Sequence, residues 1–146
     1  MTTAMSNSQV SKAQATRPVA LRRALLLDAG ASGAMGALLL LDAGPLERLL
    51  GLPASLLSWV GALLIPFAGL LVWIARRTPA PHGAVGAIIG GNALWVIASV
   101  ALLMSGWVAP TRLGVLFVLA QAAAVAAFAY LEYDGRRREA RPAVDD

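Results

Sequence analysis

Apolar residues run through this chain in four long blocks, and polar residues are confined to the gaps between them. The blocks are 24–41, interrupted only by Asp28 and Ser32, then 56–75, 84–108 and 113–131. The second, third and fourth contain no Asp, Glu, Lys or Arg. A helix needs about 20 residues to cross a hydrocarbon core, with a range of about 17–25, and each block meets that length. In lipid such a segment must be helical, because only a helix satisfies its own backbone hydrogen bonds. The pattern therefore predicts an all-α fold: a four-helix transmembrane bundle with antiparallel neighbours.

The gaps carry turn chemistry. Between the first two blocks lies "DAGPLERLLGLPAS", where Gly44-Pro45 is expected to break the first helix. From Pro45 to Leu50 one or two amphipathic turns are expected on the membrane surface, with Leu46, Leu49 and Leu50 down and Glu47 and Arg48 up. "RRTPAPHG" separates the second and third blocks. "APTR" separates the third and fourth, and is short enough to require a tight hairpin. Residues 1–16 are polar and small and read as a disordered tail, with no apolar core of a signal peptide. The membrane domain spans 17–134, and 135–146 reads as a polar C-terminal tail.

Composition sharpens the class. Hydrophobic residues make up 58% and charged residues 14%, well below the roughly 25% of soluble domains. Mean hydropathy is +0.69. There is no cysteine, which removes disulfides, thiol redox chemistry and cysteine-ligated metals or clusters. His82 is the single histidine, so a bis-histidine haem cannot form within one chain. No cofactor and no metal site is expected.

The net charge of +4 points to topology rather than to nucleic acid. Lys12, Arg17, Arg22, Arg23, Arg76, Arg77, Arg136, Arg137, Arg138 and Arg141 all fall on one face of the four-span arrangement. Arg48 and Arg112 fall on the other. Positive residues are retained on the cytoplasmic side, so both termini are expected to be cytoplasmic. Trp59 and Trp107 then mark one interface and Trp73, Tyr130 and Tyr133 the other. Trp95 lies mid-span.

Small residues recur at packing intervals. Ala29, Gly33 and Ala37 form a stripe on the first span, and Ser32 and Gly36 a second. Gly86 and Gly90 do the same on the third, beside Ala87 and Gly91. Ala120, Ala124, Ala123 and Ala127 lie on the fourth. Such spacing lets helix backbones approach closely, within one bundle or between two protomers. Pro66 lies mid-span in the second helix and should bend it.

Few polar residues lie within the blocks. Asn92 and Gln121 sit at similar depth and are expected to hydrogen-bond across helices. The alternative is a small polar pocket that includes Trp95. Asp28 is the ionisable residue inside a block, and an intramembrane carboxylate is a functional-site hypothesis. It lies five residues past Arg23, roughly 7–8 Å along the axis. That depth allows a structural ion pair with Arg76 or Arg77, or coupling to a proton.

"LLLDAG" occurs twice, at 25–30 and 39–44. Asp28 and Asp42 would lie on similar faces of one helix but about 21 Å apart, too far to share a proton. Asp42 reads as a boundary marker.

The segments "GNALWVIAS" (91–99) and "SGWVAPTRLG" with "FVLAQA" (105–122) resemble an uncharacterised family of small four-span bacterial integral membrane proteins. The resemblance covers about Leu21 to Tyr133. It implies a compact bundle in the bacterial cytoplasmic (inner) membrane and no reaction. Helix count and length are also broadly similar to small multidrug resistance transporters, which carry a glutamate in the first helix; the position here is taken by the shallower aspartate Asp28.

No nucleophile–base pair or phosphate-cradling loop is legible, since the glycine-rich "GAIIGGNA" follows no strand. The leading expectation is a non-enzymatic structural or accessory subunit in the lipid bilayer, as a homodimer or with a membrane-protein partner. The alternative is a small proton-coupled exporter using Asp28, with Asn92, Trp95 and Gln121 lining its pocket. A lipid- or quinone-directed membrane enzyme using Asp28 and His82 ranks third.

Overall fold

The computed structural model describes residues 7–77 and 80–140. Their backbone forms five helices: α1 (Asn7–Leu41), α2 (Ala43–Leu50), α3 (Ala54–Ala75), α4 (His82–Met104) and α5 (Arg112–Ala140). Four of them contain stretches long and apolar enough to cross a membrane: Val19–Leu41, Ala54–Ala75, His82–Met104 and Arg112–Arg138. The protein is thus an all-α membrane protein by length and composition.

The helix bounds revise the sequence expectations at several points. α1 begins at Asn7, so positions 7–16, read as a structureless tail, are helical; 1–6 lie outside the described residues. α5 runs on to Ala140 through positions assigned to the polar tail, and 141–146 lie outside the described residues. α4 stops at Met104 rather than Val108. Gly106 takes a left-handed φ of 70°, which ends helical geometry before the turn into α5. Gly44-Pro45 does not end α1 either. The bend falls at Asp42, and Pro45 occupies the first turn of α2, where a missing N–H costs no intrahelical bond. The short amphipathic helix is present, with Leu50 buried and Glu47 and Arg48 exposed; Leu49 is also exposed. α3 is continuous through Pro66.

α1 packs against α3 and α5, and α4 packs against α5. The contact of α1 with α3 is closest at Gly36 and Gly61. A Cβ on Gly61 would lie 2.8 Å from the Gly36 carbonyl oxygen and 2.9 Å from Leu40. Further along, Gly33 faces Ala68. Because lipid is as apolar as leucine, this contact is held by dispersion, which needs backbones to come near one another. The predicted stripe thus packs within the chain: Ala29 is core, Gly33 meets α3, and Ala37 is half-buried. On α4, Gly86 lies against the guanidinium of Arg136, and Gly90 has no neighbour within 4 Å of where a side chain would begin.

Two apolar cores sit at opposite ends of the bundle. One joins Leu21, Leu25, Leu71, Ile74, Val85 and Ile88. The other joins Leu39, Leu50, Leu52, Leu57 and Val118. At the second end the loops are tied together. The Thr111 amide donates to the Leu50 carbonyl at 2.9 Å, and its hydroxyl donates to the Leu49 carbonyl at 2.8 Å. Gly114 must lack a side chain, since the Leu50 carbonyl occupies the place of its Cβ. Gly51, with φ 67°, closes α2 by donating its N–H to Glu47 at 2.8 Å.

Candidate functional site: a buried carboxylate pair

Between the two cores, three helices bring polar side chains together. Asp28 and Ser32 stand one turn apart on α1, and Ser32 Oγ donates to Asp28 Oδ1 at 2.9 Å. Asn92 of α4 reaches across with its amide nitrogen. Nδ2 donates to Asp28 Oδ2 at 3.0 Å and to Glu132 Oε2 of α5 at 3.2 Å. One amide thus bridges two carboxylates. Asp28 is 1% exposed, Asn92 4% and Glu132 0%. Glu132 Oε1 is buried and has no hydrogen-bond partner.

A charge removed from water needs a positive or hydrogen-bonding partner, or its cost is several kcal/mol. The Asp28–Glu132 pair has hydrogen bonds from Ser32 and Asn92 but, among the described residues, no basic side chain within ion-pair distance. Among the described residues the one ion pair is Arg138 with Asp134, at 2.7 Å and exposed. The expected pairing of Asp28 with Arg76 or Arg77 does not form. Arg77 instead lies over the ring of Trp73 at 4.4 Å, and Arg76 is exposed. Both arginines sit at the end of α3, where water and an aromatic face are better partners than a carboxylate turned toward α4 and α5.

A second polar group lies further along the bundle. Trp95 Nε1 donates to Gln121 Oε1 at 3.0 Å, and Gln121 Nε2 donates to Ser99 Oγ at 3.3 Å. Ser99 in turn donates to the Trp95 carbonyl at 2.8 Å. The expected Asn92–Gln121 bond is therefore absent. Asn92 turns to the carboxylates, which are stronger acceptors than an amide. Gln121 turns to an indole N–H that has no other outlet in an apolar span.

Asp28, Ser32 and Asn92 of the first group and Trp95 and Gln121 of the second open on one cavity of about 450 Å³, which Glu132 and Ser99 do not line. All four long helices contribute to its wall: Asp28, Ser32 and Met35 from α1, Leu64 and Phe67 from α3, Asn92 and Trp95 from α4, Gln121 and Phe128 from α5. Asp28, Asn92, Trp95 and Gln121, singled out from sequence, are thus brought together as a lining, although Asn92 and Gln121 are not bonded to each other. His82 opens α4, is exposed, and bonds to none of them. Among the described residues no three His, Asp or Glu side chains gather as a metal centre would require.

Glu132 was not anticipated, because it sits in "YLEYDGRRR", which reads as the polar end of the fourth span. A signal was available. Gln121, Val125, Phe128 and Glu132 recur at helical spacing, and eleven residues make about three turns at 100° each. Glu132 therefore shares the face of Gln121. Comparison with protein-family models, with curated proteins and with solved structures gives no match.

Proposed function

We propose that this chain is a small proton-coupled exporter of the bacterial cytoplasmic membrane. In this reading neighbouring spans run antiparallel and both termini are cytoplasmic. The observation that carries it is the Asp28–Glu132 pair bridged by Asn92, of which Asp28 and Asn92 line a cavity bounded by four helices while Glu132 is buried behind them. Intramembrane carboxylates are costly, and when they face a cavity they mark proton relays and substrate pathways. A purely structural bundle would be at least as stable with apolar residues in these places. The exporter therefore ranks above the accessory subunit, which the sequence alone favours.

The division of labour follows from chemistry. Asp28 and Glu132 exchange a proton with the aqueous side, and Asn92 holds them together whichever one carries it. Ser32 orients Asp28. Trp95 and Gln121 form the polar part of the opposite wall, while Phe67, Phe128 and Met35 receive an apolar body. The orientation rests on the arginines, which crowd one end of the bundle.

The test is transport in proteoliposomes under an imposed proton gradient, with an aromatic tertiary amine as cargo and an entrapped pH dye as reporter. Cargo movement coupled to proton flux is expected in the parent protein. Asp28→Asn and Glu132→Gln should each abolish it while leaving a monodisperse helical protein. No coupled flux in the parent, across a panel of apolar amines, would sink the reading.

A further inference from the structure

We infer that the cluster of Asp28, Glu132, Asn92 and Ser32 is a binding site for an alkali cation of sodium size. The inference rests on the proposed carrier reading in that it concerns the same site, and it names the ion as a second occupant.

The first argument is the donor set. Two carboxylates, an amide and a hydroxyl converge from α1, α4 and α5, with no thiol or imidazole among them. All-oxygen sets suit hard cations rather than transition metals. The second is an imbalance of donors and acceptors. With both acids ionised, four carboxylate oxygens share the hydrogens of one hydroxyl and one amide, and Glu132 Oε1 is left buried without a donor. A native structure rarely leaves such an atom unmatched without an occupant to meet it. A cation beside Oε1 supplies the missing partner and offsets charge that no basic side chain among the described residues offsets.

The third argument is Asn92. With the ion absent, its NH2 holds the two carboxylates. A half-turn of the amide presents its carbonyl oxygen to the same place, as a ligand. No apolar residue could do either, and a lysine could only do the first. The fourth is size and burial. Magnesium keeps several of its waters, and calcium takes six to eight oxygens. Four side chains closed off from solvent at 0–4% exposure for Asp28, Asn92 and Glu132 suit a smaller demand.

The experiment is thermal unfolding of the full-length protein in detergent at fixed ionic strength, with choline replaced stepwise by sodium. Sodium should raise the midpoint saturably, by about 3–6 °C, since a ligand that binds only the folded state stabilises it. Potassium should do so less. Asp28→Asn and Glu132→Gln should each remove the sodium response. The parent alone decides the central point, whatever the variants do. Equal midpoints in sodium, potassium and choline overturn the inference, and so does a response to magnesium or calcium at millimolar level that exceeds sodium's. Proton-driven transport without a sodium response would remove this inference and leave the carrier. A sodium response without transport would do the reverse.

Discussion

The side of α1 that meets α3 and the side that meets α4 and α5 are built on opposite principles. Toward α3 the helix presents Gly33 and Gly36, and the partner presents Gly61 and Ala68. Nothing polar is shared there, and the backbones come as near as they can. Toward α4 and α5 the same helix presents Asp28 and Ser32 beside a cavity, and close backbone contact there is confined, among the described residues, to Leu21 on Gly135. In lipid a close apolar contact is held by dispersion, whereas a polar contact is held by the lack of any other partner. The first makes a rigid post. The second leaves a cavity lined in part by polar side chains.

That contrast can be broken at four places, in decreasing order of effect. Gly61→Leu places a branched side chain where the Gly36 carbonyl stands 2.8 Å from a mere Cβ, and no rotamer avoids it. Folded, monodisperse protein should be lost on size-exclusion chromatography; Gly61→Ala should fold with a penalty of about 2–3 kcal/mol in a denaturation series. A well-folded Gly61→Leu would show that α1 and α3 are not closely docked. Next comes Asn92→Leu, which leaves two carboxylates without their bridge. A loss of about 2 kcal/mol is expected in an unfolding series from removing hydrogen bonds to charged groups. Unchanged stability would mean that the amide does not hold the pair.

The third place is the other polar group. Gln121→Leu should cost only about 0.6–1 kcal/mol, the usual worth of an interhelical hydrogen bond in a membrane protein. Trp95 fluorescence should shift as its indole N–H loses its acceptor. An effect as large as that of Asn92→Leu would erase the difference between the two polar groups. The last is Arg138→Ala, which removes an exposed pair one turn apart. Its expected effect is within about 0.5 kcal/mol, because exposed ion pairs contribute little. A larger loss would indicate that the end of α5 is held by charge rather than by packing such as that of Gly135 against Leu21.

Much of this arrangement was legible in the chain itself. Hydrophobic blocks of 18 residues or more dictate helices in lipid, so the four long helices follow from composition and length alone. Asp28 stands out because a carboxylate within such a block has few excuses. Glu132 does not, because it lies among tyrosines and arginines where a charge looks solvated. Its burial arises from α5 continuing as a helix past Leu131, which carries the face of Gln121 onward to meet Asn92 and Asp28.

Periodicity states which residues share one helix face, but which faces of different helices meet depends on how the helices rotate against one another. That rotation is set by close contacts such as Gly36 with Gly61 and the Gly114 backbone with Leu50. These involve residues with no side chain to announce them. The sequence by itself therefore determined the four long apolar helices and their membrane character, and singled out Asp28. Only the tertiary structure decided that Asn92 turns from Gln121 to the carboxylates, that the arginines stay outside, and that Glu132 is the second acid. The physical reason is that a polar group in lipid takes the strongest partner within reach, and reach exists only once the helices are packed.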